Sequence, residues 1–430
     1  MNRYPEYKES GVEWIEEVPK GWNMIRCTHL FELKHIKNTS GEINLSVYRD
    51  YGVIKRDSRD DNYNRVSEDT SNYKLVEPGD FVFNKMKCWQ GSLGVSEYRG
   101  IVSPAYTVCK PKRHFHGKYF HYLLRSQPYI QEFNRLSYGV RIGQWELRFE
   151  DFKDIVVLYP SLSEQTQIAN FLDRKTGQID ELIRIKERRI ELLQEQRTVL
   201  INQAVTKGLD PNVEMKPSGV EWIGEIPKHW TLTRLKYISK IPVTYGLNIE
   251  ADRYTTEGIR LIRITDIGEG GSLAQKGVYL PEDCVPQEQM LNSYDLLFSR
   301  SGATVGKSYL HLQTGKYTSA GYLVRFNFND YWTSKFIYYV TLSHFYRNWL
   351  EQQIIISTIQ NVNGEKYSNF QLPIPLRQEQ KQIVKFLDRK TGQIDELVSA
   401  EQRKIELLKE YRQSLISEAV TGKIDVRNDV

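Results

Sequence analysis

The sequence predicts an α+β chain: two domains of mixed α/β structure joined by two long antiparallel helices in a pseudo-two-fold arrangement. Three observations predict it. Framing segments recur about half a chain apart, a helical pattern with a coiled-coil period follows each copy of the longer repeat, and the stretches between the framing segments hardly align.

The repeat comes first. ESGVEWIEEVPKGW at 9–22 returns as PSGVEWIGEIPKHW at 217–230, an offset of 208, and FLDRKTGQIDEL at 171–182 returns unchanged at 386–397, an offset of 215. Twelve identical residues in a row are not chance. The likeness extends upstream, where Pro160, Glu164, Gln165, Gln167 and Ile168 match Pro375, Glu379, Gln380, Gln382 and Ile383, and downstream, where IELLQEQRTVLINQAVT answers IELLKEYRQSLISEAVT. The chain therefore reads as a tandem duplication: 1–160 carries a framing motif and a variable segment, 161–207 a long helix, 208–230 a linker and second framing motif, 231–375 a second variable segment, and 376–423 a second long helix with the C-terminus.

Each long helix has its own signals. Ser163 is a suitable N-cap, with Glu164 in the first turn where the helix dipole favours an acid. The pattern runs to about Thr206, and Gly208 and Pro211 end it. Gly177 and Gly392 are weak points, each costing ~1 kcal/mol against Ala, and leave open whether the helices are continuous. From Ile179 a seam follows the 4-3 spacing of a heptad through Ile183, Lys186, Ile190, Leu193, Arg197, Leu200 and Ala204. The second copy gives Ile394, Val398, Glu401, Ile405, Leu408, Arg412, Leu415 and Ala419, with polar breaks at the same places. A narrow seam of period 3.5 calls for one partner helix, and the chain supplies it.

The variable segments read as α+β. Asp80-Phe-Val-Phe, the run from Gly258 to Ile264, and Tyr322-Leu-Val-Arg-Phe look like strands. Lys118–Phe133 and Ser334–Gln353 look like helices, with aromatics that belong to the core. A few anchors survive between the copies, such as Gly79-Asp80-Phe81-Val82-Phe83 against Tyr294-Asp295-Leu296-Leu297-Phe298.

Composition bounds the class without deciding it. With 40% hydrophobic and 26% charged residues the chain is an ordinary globular one, and a net charge of +5 is compatible with a polyanionic partner. No stretch approaches the ~20 apolar residues that span a bilayer, and the start lacks the apolar region of a signal peptide. Cys27, Cys88, Cys109 and Cys284 stand far apart and read as reduced thiols of a cytoplasmic protein.

The sequence departs from each catalytic motif it approaches. Gly302-Ala-Thr-Val-Gly306-Lys307-Ser308 resembles a phosphate-binding loop, but only three residues separate the glycines where four are needed. Glu214-Met-Lys216 has nuclease letters in a Pro-containing linker. Ser103-Pro-Ala-Tyr106 misses an adenine-methyltransferase motif at two positions, and His114, His116 and His121 lack further metal ligands. No catalytic residue, metal or cofactor is expected.

DNA reading fits better. Loops in both copies carry Arg or Lys beside Gln, Asn and Ser: Lys85 and Lys87, then Arg141 and Gln144, in the first; Arg300, Ser301 and Lys307, then Gln360, Asn361 and Asn363, in the second. Arg and Lys suit guanine O6/N7, and Asn and Gln suit adenine N6/N7. An autonomous DNA methyltransferase or nuclease is the alternative from another class, disfavoured by the missing motifs. A coiled-coil adaptor would not need two large unlike domains.

The pattern SGVEWIGEIPKHW, a variable segment, then EQxQIxxFLDRKTGQIDEL and a long helix ending in AVT, twice over, resembles the specificity subunit of type I restriction-modification systems, across essentially the whole chain. The resemblance implies that each variable segment is a target recognition domain for one half of a bipartite, asymmetric site in double-stranded DNA, with the paired helices as a ruler between them. It also implies two modification subunits that bind S-adenosylmethionine and methylate a flipped adenine, and ATP-dependent restriction subunits that cleave, with none of that chemistry in this chain.

Overall fold

The structure, a computed structural model, describes residues 2–37, 41–49, 51–58, 69–139, 145–328, 330–354 and 361–428. The chain is α+β and forms two compact units, Met1–Glu187 with Arg403–Val430, and Arg188–Gln402. The division falls inside both long helices, so each unit owns a stretch of each.

Those helices run unbroken over Leu162–Lys207 and Arg377–Val420. At ~1.5 Å per residue each is about 65–70 Å long. Gly177 and Gly392 do not interrupt them, and a Cβ at either would meet nothing within 4 Å. The first helix is capped by Ser161, whose hydroxyl accepts the Glu164 N–H at 3.3 Å; Ser163, the expected cap, stands inside the first turn. The same proline carbonyl is used at both starts: that of Pro160 accepts the Gln165 side-chain amide at 2.9 Å, and that of Pro375 accepts the Gln380 amide at 2.9 Å. Gly208 and Gly422 follow the two helix ends with φ of 76° and 74°, the left-handed conformation that glycine adopts without cost.

Within each unit the helix stretches are antiparallel. In the first, Ile179 and Ile183 share a core with Leu408, Leu415, Ile416 and Ala419. In the second, Arg189 pairs with Glu401 at 3.2 Å and Arg197 with Asp395 at 3.0 Å, so one number rises as the other falls. Every seam position from Ile179 to Ala204 and from Ile394 to Ala419 is buried or half-buried, including Ile190, Leu193, Leu200, Val398 and Ile405.

The variable segments share one framework that their sequences hide. The first unit has a four-stranded antiparallel sheet in the order Phe31–Leu33, Tyr106–Pro111, Phe81–Asn84, Leu93–Val95. The second repeats it as Thr244–Tyr245, Leu323–Asn327, Asp295–Ser299, Ser308–Leu310. In both, the strand after the framing motif pairs with the strand before the long helix: Asn23–Arg26 with Val156–Tyr159, and Thr231–Arg234 with Gln371–Ile374. The remaining small sheets differ. Among the described strands only the second unit has a parallel pair, Ile259–Ile262 beside Tyr317–Ser319.

Each sheet is entered through a left-handed turn residue, Gly79 (φ 93°) in one copy and Tyr294 (φ 73°) in the other. A buried aspartate follows, partnered differently: Asp80 pairs with Lys34 at 2.6 Å, and Asp295 pairs with Arg325 at 2.7 Å and accepts a hydrogen bond from the Asn327 amide at 2.6 Å. Burial raises both carboxyl pKa values in spite of these partners.

The expected single helices are pairs. Gly117–Leu124 and Gln127–Leu136 are separated at Arg125-Ser126, and Tyr331–Thr341 and His344–Gln353 at Leu342-Ser343. A serine restarts each second helix, Ser343 by accepting the Tyr346 N–H and Ser126 with Pro128 just behind it. A tyrosine of the helix before each break reaches its long helix: Tyr122 to Asp173 at 2.8 Å, and Tyr339 to Asp388 at 2.6 Å. Tyr119, Phe120, Phe133, Phe336 and Tyr346 all lie in the cores, as aromatics at helical spacing should.

Candidate nucleic-acid interface

The end of the central sheet strand places the same backbone in both units. In the first, Lys85 donates its N–H to the Ala105 carbonyl at 3.1 Å and accepts the Leu147 N–H at 3.0 Å. In the second, Arg300 donates to the Tyr322 carbonyl at 3.1 Å and accepts from Val362 at 2.8 Å. Lys85 corresponds to Arg300, and Leu147 to Val362, by the same offset that relates the two copies of FLDRKTGQIDEL. Two backbone hydrogen bonds fix this position, so only the side chain is left to differ.

The side chains do differ. Lys85 Nζ lies 4.0 Å from the Glu146 carboxylate. Arg300 has its guanidinium carbon 5.0 Å from the ring centre of Tyr245 and 5.8 Å from that of Tyr322. Such contacts restrain a cation without supplying a hydrogen-bond acceptor. The Tyr245 hydroxyl in turn accepts the Gly364 N–H at 2.9 Å, which fixes that ring. Arg300 Nε is buried and has no hydrogen-bond partner among the described residues.

The other expected residues fall into groups. In the first unit Lys87 is exposed on the same turn, beside Met86, and the indole N–H of Trp89 donates to the Met86 carbonyl at 2.9 Å. Trp89 leans on Trp145, with ring centres 5.8 Å apart, and Arg148 lies 4.9 Å over the exposed Tyr138. In the second unit Ser301 is bridged to Asn361, which is exposed. Asn363 caps a short helix by accepting the Lys366 N–H at 2.9 Å, and Lys307 Nζ donates to the Ile267 carbonyl at 2.6 Å, so both are occupied by the protein's own backbone. Arg141, Gln144 and Gln360 lie outside the described residues.

The loop that resembles a phosphate cradle is a connection between neighbouring strands. Gly302–Thr304 is one 3-10 turn, and Ser308 begins the next strand rather than a helix, its buried hydroxyl paired with that of Thr341 at 2.6 Å. His121 of the histidine cluster is packed into the fold, where burial lowers its pKa to about 3. Sequence reasoning missed Tyr245 as a partner of Arg300, because the two come from different strands. The offset that aligns the aspartates Asp80 and Asp295 would have set Lys85 against Arg300.

The family model described as "Type I restriction modification DNA specificity domain" matches twice, at residues 19–195 and 227–407. The chain is 26% identical over 293 residues to the type I restriction enzyme MjaVIII specificity subunit of Methanocaldococcus jannaschii, covering 64% of each chain. It is 26% identical over 211 residues to the EcoKI specificity subunit of Escherichia coli K12, covering 47% of this chain and 44% of that one. The matched regions thus span less than two thirds of these relatives. Among solved structures, a chain from a study of assembly and conformational transition in the type I restriction-modification system matches with a TM-score of 0.73 at 16% identity, over 96% of this chain and 99% of that one. The HsdS subunit of Thermoanaerobacter tengcongensis matches with a TM-score of 0.54 at 16% identity, over 98% and 100%. At such identity these two show the fold. No helix among the described residues is long and apolar enough to cross a membrane.

Proposed function

We propose a function from one premise: the chain belongs to the type I restriction-modification DNA specificity family. It is the subunit that gives a type I restriction-modification complex its DNA-sequence specificity, acts in the cytoplasm, and has no catalytic centre of its own. The segments 1–160 and 231–375 are the target recognition domains, each reading one half of a bipartite, asymmetric site in double-stranded DNA. The helices 161–207 and 376–423, with the linker and framing motif at 208–230, carry them and offer the surfaces on which two modification subunits and the restriction subunits assemble. S-adenosylmethionine and ATP belong to those partners.

The observation that carries this reading is the shared position of Lys85 and Arg300. A duplicated framework that holds the backbone by the same two hydrogen bonds, yet presents a different cation in a different setting, is what two unlike half-sites require. Lys85, Lys87, Arg300, Ser301 and Asn361 are the contact group among the described residues. Arg141, Gln144 and Gln360 extend it, and Lys307 and Asn363 hold the loops through their backbone hydrogen bonds.

The test is a segment exchange. Replacing 231–375 with the counterpart from a relative of different specificity, in the complete complex, should change one half of the methylated motif and leave the other intact. A motif altered in both halves would overturn separate reading, and adenine methylation by the purified chain alone would overturn its non-catalytic role.

A further inference from the structure

Arg300 is an unusual arginine. It follows the strand Asp295–Ser299 and is held at both backbone polar groups, by the Tyr322 carbonyl and the Val362 N–H. The residue is half-buried, and among the described residues no carboxylate approaches it; its recorded side-chain contacts are the faces of Tyr245 and Tyr322. A charge taken partly out of water is normally paired, because burial without a partner is costly. Here the protein supplies two rings instead of an acceptor. Both reach solvent, Tyr322 being 57% and Tyr245 38% exposed, so the site opens to the surface.

The rings restrain the guanidinium without using its hydrogen bonds, and so leave terminal N–H donors for an outside acceptor. A flexible, hydrated lysine would serve for general attraction to a phosphate backbone. A planar fork whose orientation is fixed in advance is suited to two acceptors side by side in one plane. On a DNA duplex that description fits guanine, whose O6 and N7 face the major groove together. The first unit provides the contrast: Lys85, on the same backbone position, has Ala105 in the place of Tyr322 and the Glu146 carboxylate 4.0 Å from its ammonium.

We propose that Arg300, braced by Tyr245 and Tyr322, is the specificity-determining residue for one guanine in the half-site read by 231–375, donating two hydrogen bonds to its O6 and N7. This rests on the DNA-reading role proposed above and adds to it a residue, a base and a half-site.

The experiment uses the full chain in its complete complex, with binding measured against duplexes that carry each base pair in turn along both half-sites. Arg300→Lys keeps the charge and removes the fork. It should cut discrimination at a single G·C pair of one half-site by about 5- to 150-fold, the range of one bidentate contact, with the other half-site unaffected. Tyr322→Ala, which leaves the arginine but loosens it, should weaken the same position by less. Unchanged melting of the complex separates these effects from misfolding. Equal weakening on every duplex, with the salt dependence reduced by about one phosphate contact, would make Arg300 a backbone contact and overturn the assignment. So would unchanged discrimination, or a change at an A·T pair. A parent complex that binds all duplexes alike would remove the DNA-reading role itself, and the assignment with it.

Discussion

Arg197 and Arg412, equivalent residues of the two long helices, make one and the same ion pair with exchanged partners: Arg197 holds Asp395 at 3.0 Å and Arg412 holds Asp180 at 2.9 Å, and Asp180 and Asp395 are themselves equivalent in the repeat. Each pair sits wholly within one compact unit. Polar residues at a heptad seam position cost stability but fix which residues face one another. Because the aspartates are more than half exposed, each pair should be worth little. Asp180→Ala and Asp395→Ala should each cost under about 1 kcal/mol, as exposed pairs do. The double variant should show the sum of the two, since sites that share no partner add. Denaturant titration of the three variants checks this. A double-variant loss well above the sum would mean that the pairs are coupled.

The first unit depends on residues near the other end of the chain. Leu415 is 2% exposed and packs in the core that holds Ile179, Phe171 and Leu158. Leu415→Ala should destabilise by about 2–5 kcal/mol, the usual loss for a buried leucine. Hydrogen exchange should locate the effect: amides in Val156–Tyr159 should exchange faster, and those in Gln371–Ile374 should not. Faster exchange in both strands would contradict the division into units.

Acid should weaken the second unit through one histidine. His311 is 1% exposed, between Tyr309 and Tyr317, and burial lowers its pKa to about 4, with Arg325 adding to the effect. An unfolded chain takes up this proton near pH 6.5, whereas the folded one resists until about pH 4. Stability is therefore lost as pH falls from 6.5 towards 4, by about 3 kcal/mol in all. His311→Asn should lower stability at pH 7 but flatten its slope across that window. An unchanged slope would show that another group titrates there.

The parts of the fold that could be read from the sequence are those that repeat in letters. The seam from Ile179 to Ala204 was legible because its period is local and its copy confirms it. Of the shared four-stranded sheet only the strand after Asp80 and Asp295 was legible; its neighbours were not, because a sheet is specified by which positions face the core, and Leu93–Val95 and Ser308–Leu310 meet that demand with different residues. The break at Ser126 carried a local signal in Pro128, whereas that at Ser343 had none beyond the serine itself. Of the candidate site, the cation Arg300 was visible as a residue type, but its setting was not. Tyr245 comes from a strand far upstream of the one ending at Ser299, and only pairing through Leu323–Asn327 brings them together.

The division of the chain between its units also bears on how it is made. The second unit is one continuous stretch, Arg188–Gln402, whereas the first needs Arg403–Val430 to complete its core. On a ribosome the unit that begins first must therefore finish last. At ~5–20 residues per second, synthesis of the second unit imposes a wait of about 10–40 s. Through that interval the apolar face around Ile179 and Ile183 has not yet met Leu408, Leu415 or Ala419. The nascent first unit thus keeps that apolar face uncovered until the last residues are made, while the later-made unit can close on its own contiguous chain.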